Sequence, residues 1–239
     1  MFRKSTIATA ACAFGIGSVA FAMGSIPKQK AAPPPPVIDT KTDYLAECID
    51  GRSPITILES RTRAENVVRA CAGAIQSRKL APAELAQARL NRGAARMVLG
   101  DQILATGDYL EALRHYEGAI DPMNPDALEL FRNGAALDGI DKTDTALGKY
   151  SEAIKADPKL ALAYYARGVL LATHERAYAP AIGDFDKVLV LEPANDGALV
   201  RRGEAYSQLS DFGHALVDLN HAIELDPANP AAYIARSRQ

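Results

Sequence analysis

Residues 161–193 read ALAYYARGVLLATHERAYAPAIGDFDKVLVLEP, and residues 196–227 read DGALVRRGEAYSQLSDFGHALVDLNHAIELDP. The two stretches carry a glycine, a small residue, a large apolar residue, another small one and a closing proline at nearly the same offsets. In the first these are Gly168, Ala181, Phe185, Val188 and Pro193; in the second, Gly203, Ala215, Leu219, Ala222 and Pro227. Towards the N-terminus, Gly134 is followed by Ala146, Tyr150, Ala153 and Pro158, and Gly100 by Ala112, Tyr116 and Ala119. The four glycines stand 34, 34 and 35 residues apart. A period this long, in segments whose apolar residues recur every three or four positions, means one helical supersecondary unit copied side by side. Leu128, Phe131 and Ala135, then Ala146, Tyr150, Ala153 and Ile154, mark the apolar stripes of the two antiparallel helices in one such unit.

Each repeated residue has a packing reason. Where two helix backbones cross closely only Gly or Ala leaves room, so the glycine of the first helix and the alanine of the second set the hairpin angle. The aromatic fills the space between units. Proline ends the second helix because it lacks an N–H and its ring clashes with the preceding turn.

This pattern resembles the tetratricopeptide repeat (TPR), whose 34-residue unit prefers Gly, Ala, an aromatic, Ala and Pro at these offsets. The match spans residues 93–229 as units 93–126, 127–160, 161–195 and 196–229, with a partial fifth at 230–239. The third unit carries one extra residue in the turn near Thr173 to Pro180, and the first ends early at Asp121 and Pro122. The resemblance implies an all-α, right-handed superhelical solenoid of antiparallel helix pairs over residues 82–239, its concave side lined by the first helix of each unit. Groove positions in such proteins match Ala94, Met97 and Asp101; Leu128, Phe131 and Ala135; Leu162, Tyr165 and Val169; and Gly197, Val200 and Glu204. This set lacks the Lys and Asn clamp of TPRs that hold chaperone carboxyl tails and favours an apolar or aromatic segment.

A second register is open for the first unit. Asn91-Arg92-Gly93 parallels Ala166-Arg167-Gly168 and Arg201-Arg202-Gly203, so Gly93 serves as repeat glycine as well as Gly100 does. The two lie seven residues apart, about two helical turns, and so share a face. One overlong helix over about 82–106, with an inserted heptad, is expected.

Residues 1–22 pair Arg3 and Lys4 with an apolar run from Ile7 to Phe21 and the small-x-small end Ala20-Phe21-Ala22. That is the pattern of a secretory signal peptide with Met23 as mature start, and the run is shorter than the ~20 apolar residues of a membrane span. Thr9-Ala10-Ala11 lacks the branched apolar residue expected three before a lipidated Cys12. Residues 23–40, with four consecutive prolines from Pro33 to Pro36, read as an extended, disordered tether. Cleavage removes Arg3 and Lys4 and lowers the formal charge from −2 by two, to −4. Nothing basic compensates, which disfavours nucleic acid as a partner. The expected location is periplasmic or secreted.

After cleavage two cysteines remain, Cys48 and Cys71, and an even number in an exported chain points to a disulfide. The alternatives are two free thiols or a redox pair; the latter lacks a Cys-x-x-Cys. Cys71 lies on the stripe Ala64, Val67, Val68, Cys71 and Ile75, which a Thr62 to Glu65 capping box would start. Residues 41–81 are thus expected to form a disulfide-stapled helical cap over the first apolar face of the solenoid. Residues 68–93 also resemble the leader before the repeats of exported bacterial TPR proteins.

Chemistry leaves no comparable trace. His115, His174, His214 and His221 lack a metal-binding pattern and read as surface residues, while Asp138, Asp141 and Asp144 have the spacing of a hairpin turn rather than a calcium loop. No nucleophile elbow or phosphate loop occurs, and no cofactor or metal is expected. The chain reads as a non-enzymatic scaffold that binds a protein or peptide. The alternatives are an envelope protein that self-associates through the open C-terminal edge at Tyr233 and Ile234, or a subunit of an envelope enzyme complex.

Overall fold

The computed structural model describes Cys48 and residues 61–77, 79–119, 121 and 123–238. The expected signal peptide, the proline-rich tether and most of residues 41–60 lie outside the described residues. Among those described there are ten α-helices and no strand: α1 (Arg61–Gln76), α2 (Pro82–Val98), α3 (Gln102–Ala119), α4 (Ala127–Asp138), α5 (Thr143–Ala156), α6 (Ala161–Thr173), α7 (Tyr178–Leu191), α8 (Asp196–Gln208), α9 (Phe212–Leu225) and α10 (Pro230–Ser237).

Four hairpins follow from the repeat: α2/α3, α4/α5, α6/α7 and α8/α9. Each second helix also packs on the first helix of the next hairpin, and successive first helices touch one another: α2 with α4, α4 with α6, α6 with α8, α8 with α10. Second helices make no comparable contact among themselves. That asymmetry curves the stack with the first helices inside. The result is the expected solenoid of antiparallel helix pairs.

The expected overlong helix over 82–106 does not form. Helix α2 stops at Val98, and Gly100 follows with φ +82°, a conformation that costs an L side chain but not glycine. Its N–H bonds to Met97 O at 3.0 Å and that of Asp101 to Arg96 O at 2.9 Å, closing the helix, while Asp101 Oδ1 accepts from Leu104 N at 3.3 Å to open α3. The repeat glycine of the first hairpin is Gly93. A Cβ there would lie 2.9 Å from Tyr109 Cε1, as one on Gly134 would lie 2.7 Å from Tyr150 Cε1 and one on Gly168 2.9 Å from Phe185 Cε1. The small positions of that hairpin are accordingly Ala105 and Ala112, both fully buried, and its aromatic is Tyr109. The extra residues fall at the far end, where α3 runs 18 residues against 14 in α5, α7 and α9.

Each hairpin turn has one residue in the left-handed region. After Gly100 these are Asp141 (φ 59°), Arg176 (φ 51°) and Ser210 (φ 64°). The aspartates at 138, 141 and 144 do lie about a hairpin turn, and the extra residue of the third unit sits in the turn 174–177.

Cys48 and Cys71 form a disulfide. Asn91 Nδ2 donates to Cys48 O at 2.7 Å and Gln87 Nε2 to Asn91 Oδ1 at 2.7 Å, so buried polar groups of α2 fasten the Cys48 backbone to the solenoid. Helix α1 packs on α2 through Ala64, Ala70, Cys71 and Ala74. Thr62 is not its N-cap, because the helix already includes Arg61 and Thr62.

A recurrent ion pair, unread in the sequence, holds the hairpins. The arginine before the repeat glycine forks onto the aspartate before the large apolar residue of the second helix: Arg92 with Asp108 at 2.9 and 2.6 Å, Arg167 with Asp184 at 2.9 and 2.7 Å, Arg202 with Asp218 at 2.8 and 2.6 Å. Arg167 also reaches Ser151, and Arg202 reaches Asp186, on the preceding second helix. In the second hairpin Asn133 and Lys149 occupy the two places, and the buried Asn133 Oδ1 has no hydrogen-bond partner among the described residues.

Candidate functional site: the first-helix face

The inner face follows from helical geometry. Residues at the second, fifth and ninth places of a first helix lie on one side because 3.6 residues make a turn. The structure separates these places by exposure. The fifth position packs into the core: Leu90 is fully buried, Phe131 is 2% exposed and Val200 4%. Phe131 lies 5.8 Å, centroid to centroid, from the Tyr150 ring, so it and Val200 are core residues rather than groove surface. Tyr165 is partly buried with its ring edge on Phe185 at 6.0 Å. Burial pushes its phenol pKa up, with the hydrogen-bonded Arg201 pulling the other way.

The second and ninth positions remain open. Leu128 is 37% exposed, and Leu162, Val169 and Glu204 are half-buried. Arg201 pairs with Glu204 at 3.0 Å. In the first hairpin the corrected register moves these places to Gln87 and Ala94, both buried. Met97 is exposed towards the end of α2 and Asp101 caps α3, so neither belongs with the groove set of the later hairpins. The site residues therefore gather on α4, α6 and α8.

Between α6, α8 and α10 this face deepens into a cavity of about 370 Å³. Ala172, Ala205 and Ala235, small residues on three successive first helices, leave the room. Val169, Phe185 and Phe212 supply apolar wall; Thr173, Glu204, Ser207 and Gln208 supply polar groups. The Tyr178 hydroxyl donates to Gln208 Oε1 at 3.4 Å across the opening. Arg238 sits at the rim with no side-chain partner among the described residues.

Of the histidines, His174, His214 and His221 are exposed, with His214 Nδ1 2.7 Å from Asp211 Oδ2. His115 departs from the surface reading: it is half-buried beside Tyr116, with Nε2 unpartnered among the described residues. Among the described residues no group of three His, Cys, Asp or Glu side chains is placed to hold a metal, and no helix is long and apolar enough to cross a membrane.

No family model matches the chain. A curated relative, small glutamine-rich tetratricopeptide repeat-containing protein 2 of Mycosarcoma maydis, is 31% identical over 110 residues, 46% of this chain and 30% of that protein. Peptidyl-prolyl cis-trans isomerase FKBP4 of Bos taurus is 39% identical over 57 residues, 24% of this chain and 12% of that protein. The matched stretch thus spans less than a third of either relative's length. Among solved structures, YrrB, described as a TPR protein with an unusual peptide-binding site, aligns over 81% of this chain and 97% of its own at 19% identity and a TM-score of 0.47. The repeat glycines under their aromatics, the buried alanines and the four stacked hairpins give the chain a solenoid fold of tetratricopeptide-like repeats, in line with its partial match to a tetratricopeptide repeat-containing relative.

Proposed function

We propose that the chain is an exported interaction scaffold that holds a peptide or helix of an envelope protein against the first-helix face of α4, α6 and α8. The observation that carries this reading is the cavity on that face, lined by Val169 and Glu204 at two of the groove positions expected from the repeat. Apolar side chains such as Leu128, left partly in water along a concave stripe, gain most when a partner covers them. Export is supported by the signal-like residues 1–22 and by the Cys48–Cys71 disulfide, a bond that persists in oxidising compartments.

The test uses the mature chain and an immobilised panel of peptides from envelope proteins. Leu128→Glu with Leu162→Glu places charge on these two positions and should abolish capture; because Leu162 also packs partly on the core, the single variant Leu128→Glu and a melting curve of each separate lost binding from lost fold. Capture that survives the double variant sinks the groove reading. Export is checked separately by the intact mass of secreted protein, expected to begin at Met23.

A further inference from the structure

We propose that the cavity between α6, α8 and α10 seats a bulky apolar side chain of the bound peptide, and that Arg238 at its rim pairs with an acidic residue next to that anchor. This rests on the groove reading and names the class of ligand. The volume, about 370 Å³, lies within the ~300–1,000 Å³ of ligand-binding pockets. Its apolar wall ends at Phe212, a large aromatic left 47% exposed at the opening, where an inserted side chain would cover it.

Charge decides the neighbour of the anchor. The lining holds two arginines and one glutamate, and Arg201 is already answered by Glu204 at 3.0 Å. Among the described residues Arg238 has no side-chain counter-charge, so the described lining carries one positive charge that no acidic side chain answers. A carboxylate one or two residues from the apolar anchor would complete it; a lysine there would meet like charge. Among the described lining residues a single unanswered cation is too few to follow a phosphate backbone, which sets nucleic acid aside.

The experiment presents the mature chain with an array of decapeptides holding a central Phe or Leu, flanked in turn by Glu, Gln or Lys. The expected order is Glu over Gln over Lys. Arg238→Ala should weaken the Glu peptides about three- to fivefold and erase their preference over Gln, as expected for an exposed pair. Phe212→Ala should abolish capture of all apolar-anchored peptides. Because Phe212 and Arg238 are both exposed, the fold should survive, as a melting curve will show. If Phe212→Ala unfolds, Thr173→Trp, which fills the cavity from an exposed wall position, gives the same reading by blocking capture. Equal binding of Glu and Lys peptides, or capture indifferent to both Phe212→Ala and Thr173→Trp, overturns the proposal. When such capture is still lost in Leu128→Glu with Leu162→Glu, the groove reading stands without it. Failure of the parent chain to bind any peptide overturns both.

Discussion

Gly168→Ala and Gly183→Ala make the same chemical change in the two helices of one hairpin, and the structure expects opposite signs. Each adds the intrinsic helix gain of Ala over Gly, about 0.8–1 kcal/mol. At Gly183, exposed in α7, a Cβ meets nothing within 4 Å, so that gain should appear nearly whole. At Gly168 the Cβ would stand 2.9 Å from Phe185 Cε1, 3.1 Å from Cζ and 3.2 Å from Asp184 Cβ. Ordinary contact begins near 3.4 Å, so the ring or the helix must give by 0.5 Å. Phe185 is fully buried and Asp184 is held by the Arg167 fork, so neither has room to yield. Overpacking of this kind costs about 1–3 kcal/mol. Since the propensity gain cancels between the variants, their stabilities should differ by about 1–3 kcal/mol, roughly 2–12 °C for a domain of this size. Urea and thermal unfolding followed by circular dichroism at the helix band measure the gap. Equal shifts of the same sign would mean that Phe185 does not lie over Gly168 and that the repeat register is wrong.

Replacing Asp141, Arg176 or Ser210 by Gly relieves a left-handed backbone and should stabilise each by about 1 kcal/mol, less the entropy glycine loses, whereas Gly100→Ala should destabilise; urea midpoints decide it. Asp218→Ala strips Arg202 of its forked partner and should cost about 2–4 kcal/mol, while Asp186→Ala, on the exposed arm of the same arginine, should cost under about 1 kcal/mol; comparable losses would rule out the fork as the anchor. Burial raises the Asp138 carboxyl pKa, with His174 opposing and Asp141 adding. The charged form is therefore disfavoured in the fold, and Asp138→Asn should raise the melting temperature at pH 7, the gain fading as pH falls through the raised folded value towards the ordinary 3.8. A gain independent of pH would refute that origin. Reduction of Cys48–Cys71, 23 residues apart, should lower stability by about 3 kcal/mol on the loop-entropy model, and alkylation before reduction should label neither thiol in protein purified without reductant.

The hairpin repeat was legible in the sequence because it is local. Gly168, Ala181 and Phe185 recur as Gly203, Ala215 and Leu219, and a stripe every three or four residues can only be a helix that buries one side. The Cys48–Cys71 pairing was legible by elimination, since only two cysteines follow the signal-like segment. The register of the first hairpin was not. Gly93 and Gly100 share a helical face, so periodicity is blind to the choice; the Tyr109 ring over Gly93 and the left-handed turn at Gly100 make it. The Arg–Asp forks left a partial trace in the repeated Arg-Gly pairs, but their aspartates lie 16 or 17 residues away and pair only when the hairpin closes. Likewise, helical spacing put Phe131 and Leu128 on the same face, and only tertiary packing, with the Tyr150 ring of the paired helix against Phe131, buries one and leaves the other open. The cavity draws on residues from Val169 to Arg238, carried by five helices and the turn after α10. No local pattern encodes such a space, because its shape is set by how far apart the stacked helices stand.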